Sequence, residues 1–213
     1  MKKNFMLAIL LASPVMAGVS DMAPEATSWA VEVAGVHTWT MADSADAMHN
    51  INTWGAELTG VYHISDNWAA TLRFTWADGS GRVESAYPGG GVATQKLDVA
   101  NWSLMAGARY TLPISEKLSC FCGVYAGLGR TEMKSEFACN WGEDDNHRET
   151  HTADDVGLAY SVETGLKYDI CESLYVIGSV GFRGYWTTPN WGDGSRDDQQ
   201  TGVSVSAGLG WEF

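Results

Sequence analysis

The chain has no helix-length apolar run beyond its first residues. Past position 17 nothing approaches 18 uninterrupted apolar residues, so no helix is expected to span a membrane. Bases are also scarce. Thirteen Lys and Arg stand against 26 Asp and Glu, and this balance argues against nucleic acid as a partner, because phosphate binding needs a basic face. Charged residues make up only 18% of the chain, yet it carries ten tryptophans and 24 glycines. A soluble domain would bury its tryptophans beside a large aliphatic core, and no such block of consecutive apolar residues occurs here.

The apolar run that does exist comes first. Lys2 and Lys3, the stretch Phe5 to Leu11, and Ser13-Pro14-Val15-Met16-Ala17 read as an export signal with cleavage after Ala17. Removing residues 1–17 takes away two lysines and no acid, leaving 196 residues with a formal charge of −15. That length suits one domain. Residues 18–27 are expected to form a periplasmic tail and 28–213 the folded unit, with no further domain after Phe213.

The remaining apolar residues alternate. Eight period-two segments fall at 28–41, 51–64, 68–77, 98–112, 118–131, 155–169, 174–187 and 201–213. In the third, Trp68, Ala70, Leu72, Phe74 and Trp76 oppose Thr71, Arg73 and Thr75. In the last, Val203, Val205, Ala207, Leu209, Trp211 and Phe213 oppose Ser204, Ser206, Gly210 and Glu212. Short connections at 65–67, 113–117 and 169–173 alternate with long polar ones at 42–50, 78–96, 132–154 and 188–200.

A soluble barrel would turn the apolar parity inward, whereas a membrane barrel turns it outward. The aromatics decide between them. Trp54 and Tyr62, Trp68 and Trp76, Trp102 and Tyr110, and Tyr160 and Tyr168 each lie eight residues apart around an aliphatic centre. At a tilt near 40° that separation is roughly 20 Å along the axis, close to the apolar band of an outer-membrane barrel. With Trp29, Trp39, Trp186 and Trp211 these residues form two interfacial girdles, where an amphipathic ring is most stable. The expected fold is therefore all-β: a closed, antiparallel, up-and-down transmembrane barrel of eight strands, with short periplasmic turns and long extracellular loops.

The opposite parity is rich in Gly, Ser and Thr, which a narrow bore can hold. It also carries four acids (Glu32, Glu57, Glu163, Glu212) and four bases (Arg73, Arg109, Lys167, Arg183). These are expected to pair inside the lumen and plug it. Glu57 and Arg73, near a diagonal cross-strand position on one hairpin, are the pair expected to meet.

Leu209-Gly210-Trp211-Glu212-Phe213 brings the chain to a terminal aromatic through alternate apolar residues. This ending looks like the signal read by the outer-membrane assembly machinery. As an architecture, residues 28–213 resemble the small outer-membrane barrels of the OmpA/OmpX type, without a peptidoglycan-binding domain. The resemblance implies insertion among outer-membrane lipids and lipopolysaccharide, and Leu209, Trp211 and Phe213 as the assembly signal. It implies no cofactor.

Other chemistry is thinner. His63 and Ser65 have the His-x-Ser spacing of barrel lipid A deacylases, but they straddle a strand end. His147 and His151, with Glu143, Asp144, Asp145 and Glu149, are a candidate cation site on a loop that has no fixed geometry. Residues 132–154 carry seven acids against two bases, so adhesion to polyanions such as heparin is disfavoured. An exported chain permits disulfides among Cys120, Cys122, Cys139 and Cys171, though Cys120 and Cys122 on one strand are awkwardly placed for a bond. The expected role is a structural or interaction barrel with acidic surface loops. A small gated pore comes next, then a lipid-modifying enzyme.

Overall fold

The structure, a computed structural model, describes residues 28–44, 47–86, 92–140, 146–188 and 198–213; nearest the outer tips only the backbone is described. The signal segment and tail expected at 1–27 lie outside these residues. Eight strands follow one another: β1 (Trp29–Ser44), β2 (Ala47–His63), β3 (Trp68–Ala86), β4 (Val92–Pro113), β5 (Leu118–Asn140), β6 (Asn146–Asp169), β7 (Leu174–Thr187) and β8 (Asp198–Glu212). Each pairs antiparallel with the next, and β8 pairs with β1 to close the barrel. Closure leaves no sheet edge unpaired, as a hydrocarbon environment requires. No helix among the described residues is long and apolar enough to cross a membrane.

The register fixes the barrel's geometry. Stepping between paired residues from Ala30 through Val61, Thr71, Gly107, Tyr125, Ser161, Arg183 and Gly202 returns to β1 at Thr40, ten residues on. Eight strands with that shear tilt by about 40° and leave a radius of about 8 Å, which side chains can fill.

Once positions are corrected for this shear, the aromatics sort into two levels. Trp29, Tyr62, Trp68, Tyr110, Tyr168 and Trp211 lie near the short turns; Trp39, Trp54, Trp76, Trp102, Tyr160 and Trp186 lie about eight residues higher, roughly 20 Å along the axis. The lower ring is knitted by Trp29 against Tyr62 (4.6 Å between centroids) and Trp68 against Tyr110 (4.8 Å). Between the levels Val33, Leu58, Leu72, Leu104, Val124, Val162 and Val180 all point outward and exposed, while Thr59, Thr71, Ser161 and Ser204 are buried inside.

The long loops are shorter than the sequence pattern suggests. β2 begins at Ala47 rather than 51, β3 runs to Ala86 rather than 77, and β4 begins at Val92 rather than 98. β5 runs to Asn140 rather than 131, and β6 begins at Asn146 rather than 155. The reason is a change of solvent. Above the upper aromatics the outer face meets water, so its residues become polar (Ser80, Asp98, Glu132, Lys134). The apolar residues move to the inner face (Ile51, Leu97, Val99, Met133). Alternation continues with its sense reversed, and the outward apolar residues end at the membrane surface.

The three short turns share one pattern: Ile64-Ser65-Asp66-Asn67-Trp68, Ile114-Ser115-Glu116-Lys117-Leu118 and Ile170-Cys171-Glu172-Ser173-Leu174. In each, the first two amides donate to the carbonyl of the fifth residue, at 2.8–3.2 Å. Ser65 and Ser115 also accept from the amide of that residue, both at 3.2 Å. Cys171 holds the equivalent place with a weakly accepting sulfur. Cys171→Ser is expected to stabilise the barrel by about 0.5–1 kcal/mol through the missing bond. Reversible urea unfolding in vesicles would measure it, and an unchanged or lower stability would contradict the comparison.

Cys120, Cys122 and Cys171 are all free thiols. The side chain of Cys139 lies outside the described residues.

Candidate functional site

The lumen holds the charged chemistry of the molecule, because every second residue of eight strands points into a bore about 8 Å in radius. Glu32 on β1, Glu57 on β2, Arg73 on β3, Arg109 on β4, Glu163 on β6 and Arg183 on β7 are all buried there. Arg109 grips Glu32 with both guanidinium nitrogens, at 2.5 and 2.8 Å. Arg73 grips Glu163 in the same forked way, at 2.9 and 2.5 Å. Arg183 pairs with Glu57. Three acids meet three bases across the bore, and the layer is formally neutral.

The expected contact between Glu57 and Arg73 is not made. The two do sit diagonally, since Glu57 pairs with Thr75 and Arg73 with Thr59. But Arg73 Nε–H donates to its neighbour Thr59 (3.3 Å), which aims the guanidinium fork away from the shared wall. It then reaches Glu163 on β6, three strands away. Glu57 accepts from Thr75 at 3.4 Å and takes its charge partner from β7. A bore this narrow lets a long base and an acid on opposite walls meet at its centre, so partners cross the lumen.

Lys167 and Glu212 form a separate group at the turn end. Lys167 lies 2.9 Å from Glu212 and 3.3 Å from Asp169, and Glu212 is 3.5 Å from His63. These side chains are partly solvated around a vestibule of about 440 Å³ whose floor is Glu32 and Arg109. His63 and Ser65 do not act together: the imidazole faces Glu212, and the Ser65 hydroxyl accepts from the Trp68 amide. The candidate cation ligands Glu143, Asp144 and Asp145 lie outside the described residues, as does the side chain of His147. His151 stands 3.5 Å from Glu149. Among the described residues no three metal-ligating side chains converge.

Aromatic residues complete the plug. Tyr125 donates to Glu163 (2.6 Å) and its ring lies 3.8 Å beneath the Arg73 guanidinium. Tyr175 donates to Glu32 at 2.8 Å, and Phe121 lies under Arg109 at 4.6 Å. Glycines make room for these rings. A Cβ at Gly210 would sit 2.1 Å from the Tyr175 ring, and one at Gly107 would sit 2.5 Å from Tyr125. The signal for this was legible as inward aromatics in glycine-rich strands, but the cation–ring stacking depends on the register between strands.

The terminal residues Leu209, Trp211 and Phe213 point outward and exposed. The Phe213 amide donates to the Trp29 carbonyl at 2.8 Å, at the seam where the last strand meets the first.

A closed, sheared, eight-stranded barrel with an apolar belt, aromatic levels and a charged core is the architecture of a small outer-membrane protein. The family model described as "Outer membrane protein beta-barrel domain" matches residues 5–213, and the chain belongs to that family. A comparison with curated proteins found no match. Among solved structures it is similar to Neisserial surface protein A, with 15% identity, 89% of this chain and 100% of that one covered, and a TM-score of 0.53. It is also similar to Ail, the attachment invasion locus protein of Yersinia pestis, with 16% identity, 89% and 100% coverage and a TM-score of 0.46. At such identities the likeness concerns the fold.

Proposed function

We propose that this protein is a non-enzymatic scaffold of the bacterial outer membrane, with a closed lumen and an acidic outer wall that meets other surface components. The observation that carries the reading is the crossed ion-pair layer. Six buried charges neutralise one another, and two voids beside them hold about 10 Å³ each. Such a core holds the barrel rigid and leaves no continuous bore.

The outer wall is supplied by β3 to β6, which extend furthest beyond the upper aromatics. Among the described side chains its acids Asp78, Asp98, Glu132, Glu136, Glu149, Asp154 and Asp155 outnumber its bases Arg82, Lys96, Arg130 and Lys134. Arg130 lies 3.1 Å from Glu132 and 2.8 Å from Asp154, and Lys96 lies 2.9 Å from Asp98. The bases are thus engaged locally, and the wall presents a net acidic surface to cationic or cation-bridged partners. Liposome swelling tests the closed lumen. Vesicles containing the refolded barrel are expected to exclude small sugars as empty vesicles do; steady uptake would place the pore reading first.

The chain's end supports assembly by the outer-membrane machinery. Deleting Phe213, or changing Trp211 and Phe213 to Ala, is expected to leave the chain unassembled in the periplasm. Equal amounts of folded, heat-modifiable protein in outer-membrane fractions of mutant and parent would contradict that role.

A further inference from the structure

We infer that the lumen is closed by two seals in series, an ion-pair layer toward the periplasm and an apolar cap toward the exterior, with a small hydrated compartment trapped between them. This rests on the closed-lumen reading above and adds where the closure lies.

The compartment is a void of about 10 Å³ lined by Thr38, Thr40, Thr53, Asn101, Arg183 and Gln200, among others. That is room for one water molecule. Three of its lining groups are deeply buried and lack any partner: Arg183 Nε, Asn101 Oδ1 and Gln200 Oε1. Together they offer one donor and two acceptors, the complement of a water that accepts once and donates twice. Left bare they would each carry the desolvation cost of an unpaired buried polar atom. A resident water removes that cost, so the void is a water site.

Below the compartment lie the three crossed ion pairs, reached through Arg183 itself, which joins the compartment wall to Glu57. Above it Ile51, Leu97, Val99 and Met133 form one buried apolar cluster from β2, β4 and β5. Gln200, on β8, donates to the Met133 sulfur at 3.5 Å and so ties the cap across the bore to the opposite wall. The cap lies above the upper aromatics, inside the wall that stands in water. An apolar constriction blocks ions by excluding water, whereas the lower layer blocks them by filling the bore with paired charge. The two act independently, so breaking one leaves the other closed.

Planar-bilayer recordings of four refolded proteins test this: the parent, Arg73→Ala with Glu163→Ala, Ile51→Ser with Met133→Ser, and all four changes together. Each double change breaches its seal without stranding a charge: the first deletes the Arg73–Glu163 pair from the middle of the ion-pair layer, and the second takes two of the four apolar side chains out of the cap. The expected result is no channel steps from the parent or either double variant, and clear steps from the combination. Conduction by either double variant alone, or silence from a folded combination, would overturn two seals in series. Conduction by the parent would instead overturn the closed-lumen reading.

A milder variant gives the same answer without four substitutions. Thr53→Cys places a thiol in the compartment, and a water-soluble thiol reagent reads its access against the native cysteines. It is expected to be protected in the otherwise native barrel. Opening the cap should expose it to reagent added outside, and opening the ion-pair layer to reagent added on the periplasmic side. Ready labelling behind both intact seals, or continued protection after either is opened, would contradict the inference.

Discussion

Glu163→Ala is expected to lower barrel stability by about 3–5 kcal/mol, because it strands Arg73 in the middle of the lumen. Glu163 receives both guanidinium nitrogens of Arg73, the hydroxyl of Tyr125 at 2.6 Å and that of Ser179 at 3.2 Å. Removing it leaves the Arg73 fork and the Tyr125 hydroxyl unpaired in a bore with little room for replacement water, while Ser179 keeps Ser206 at 2.7 Å. Adding Arg73→Ala should recover part of the loss, since the double variant loses volume and packing but buries no lone charge. Glu212→Ala provides the control. Glu212 sits half-solvated at the vestibule with Lys167 and His63 around it, and its loss should cost less than about 1 kcal/mol. Reversible urea unfolding in lipid vesicles gives all of these values. Equal costs for Glu163→Ala and Glu212→Ala would mean that the central layer is solvated, and the plug would have to be abandoned.

Leu72→Arg is expected to cost about 2–4 kcal/mol, and Ser80→Arg on the same strand and face no more than about 1 kcal/mol. Both side chains point outward and are exposed. Leu72 lies between the two aromatic levels, where an arginine would meet hydrocarbon, while Ser80 lies above Trp76 and meets water. Thr71 makes a poorer comparison than its polarity suggests. It is buried in a packed interior, so an arginine there would have to displace neighbours. Equal costs at 72 and 80, from the same unfolding measurement, would remove the basis for placing the membrane between the aromatic levels.

Much of this architecture was legible before any coordinates. Strand number, the outward apolar parity and the eight-residue spacing of Trp68 and Trp76 all follow from period-two patterning in a lipid belt. The outer third of the barrel was not legible, because in β3 to β6 the apolar residues change faces where the solvent changes. Met133 then looks like a scattered apolar residue in a polar loop, and Leu97 and Val99 sit around the start of the fourth segment on the parity opposite to its outward apolar residues. The lumen was legible as a list of charges and not as a set of pairs. Which acid meets which base depends on the shear and on how far each side chain reaches across the bore, and neither is written locally. Thr59 decides the case of Arg73, and its part emerges only once β2 and β3 are in register.

The most direct test is a nitroxide scan along β3, from position 70 to 82, in the refolded barrel with its native cysteines replaced. Each label is read against oxygen, which partitions into lipid, and against a water-soluble nickel complex. The expected pattern has even positions through 76 open to oxygen and even positions from 78 open to nickel, with Thr71, Arg73, Thr75 and Ala77 closed to both. Nickel access at 71, 73 and 75 would reveal a water-filled bore, and oxygen access at those positions would invert the faces of the barrel; either result would contradict the account.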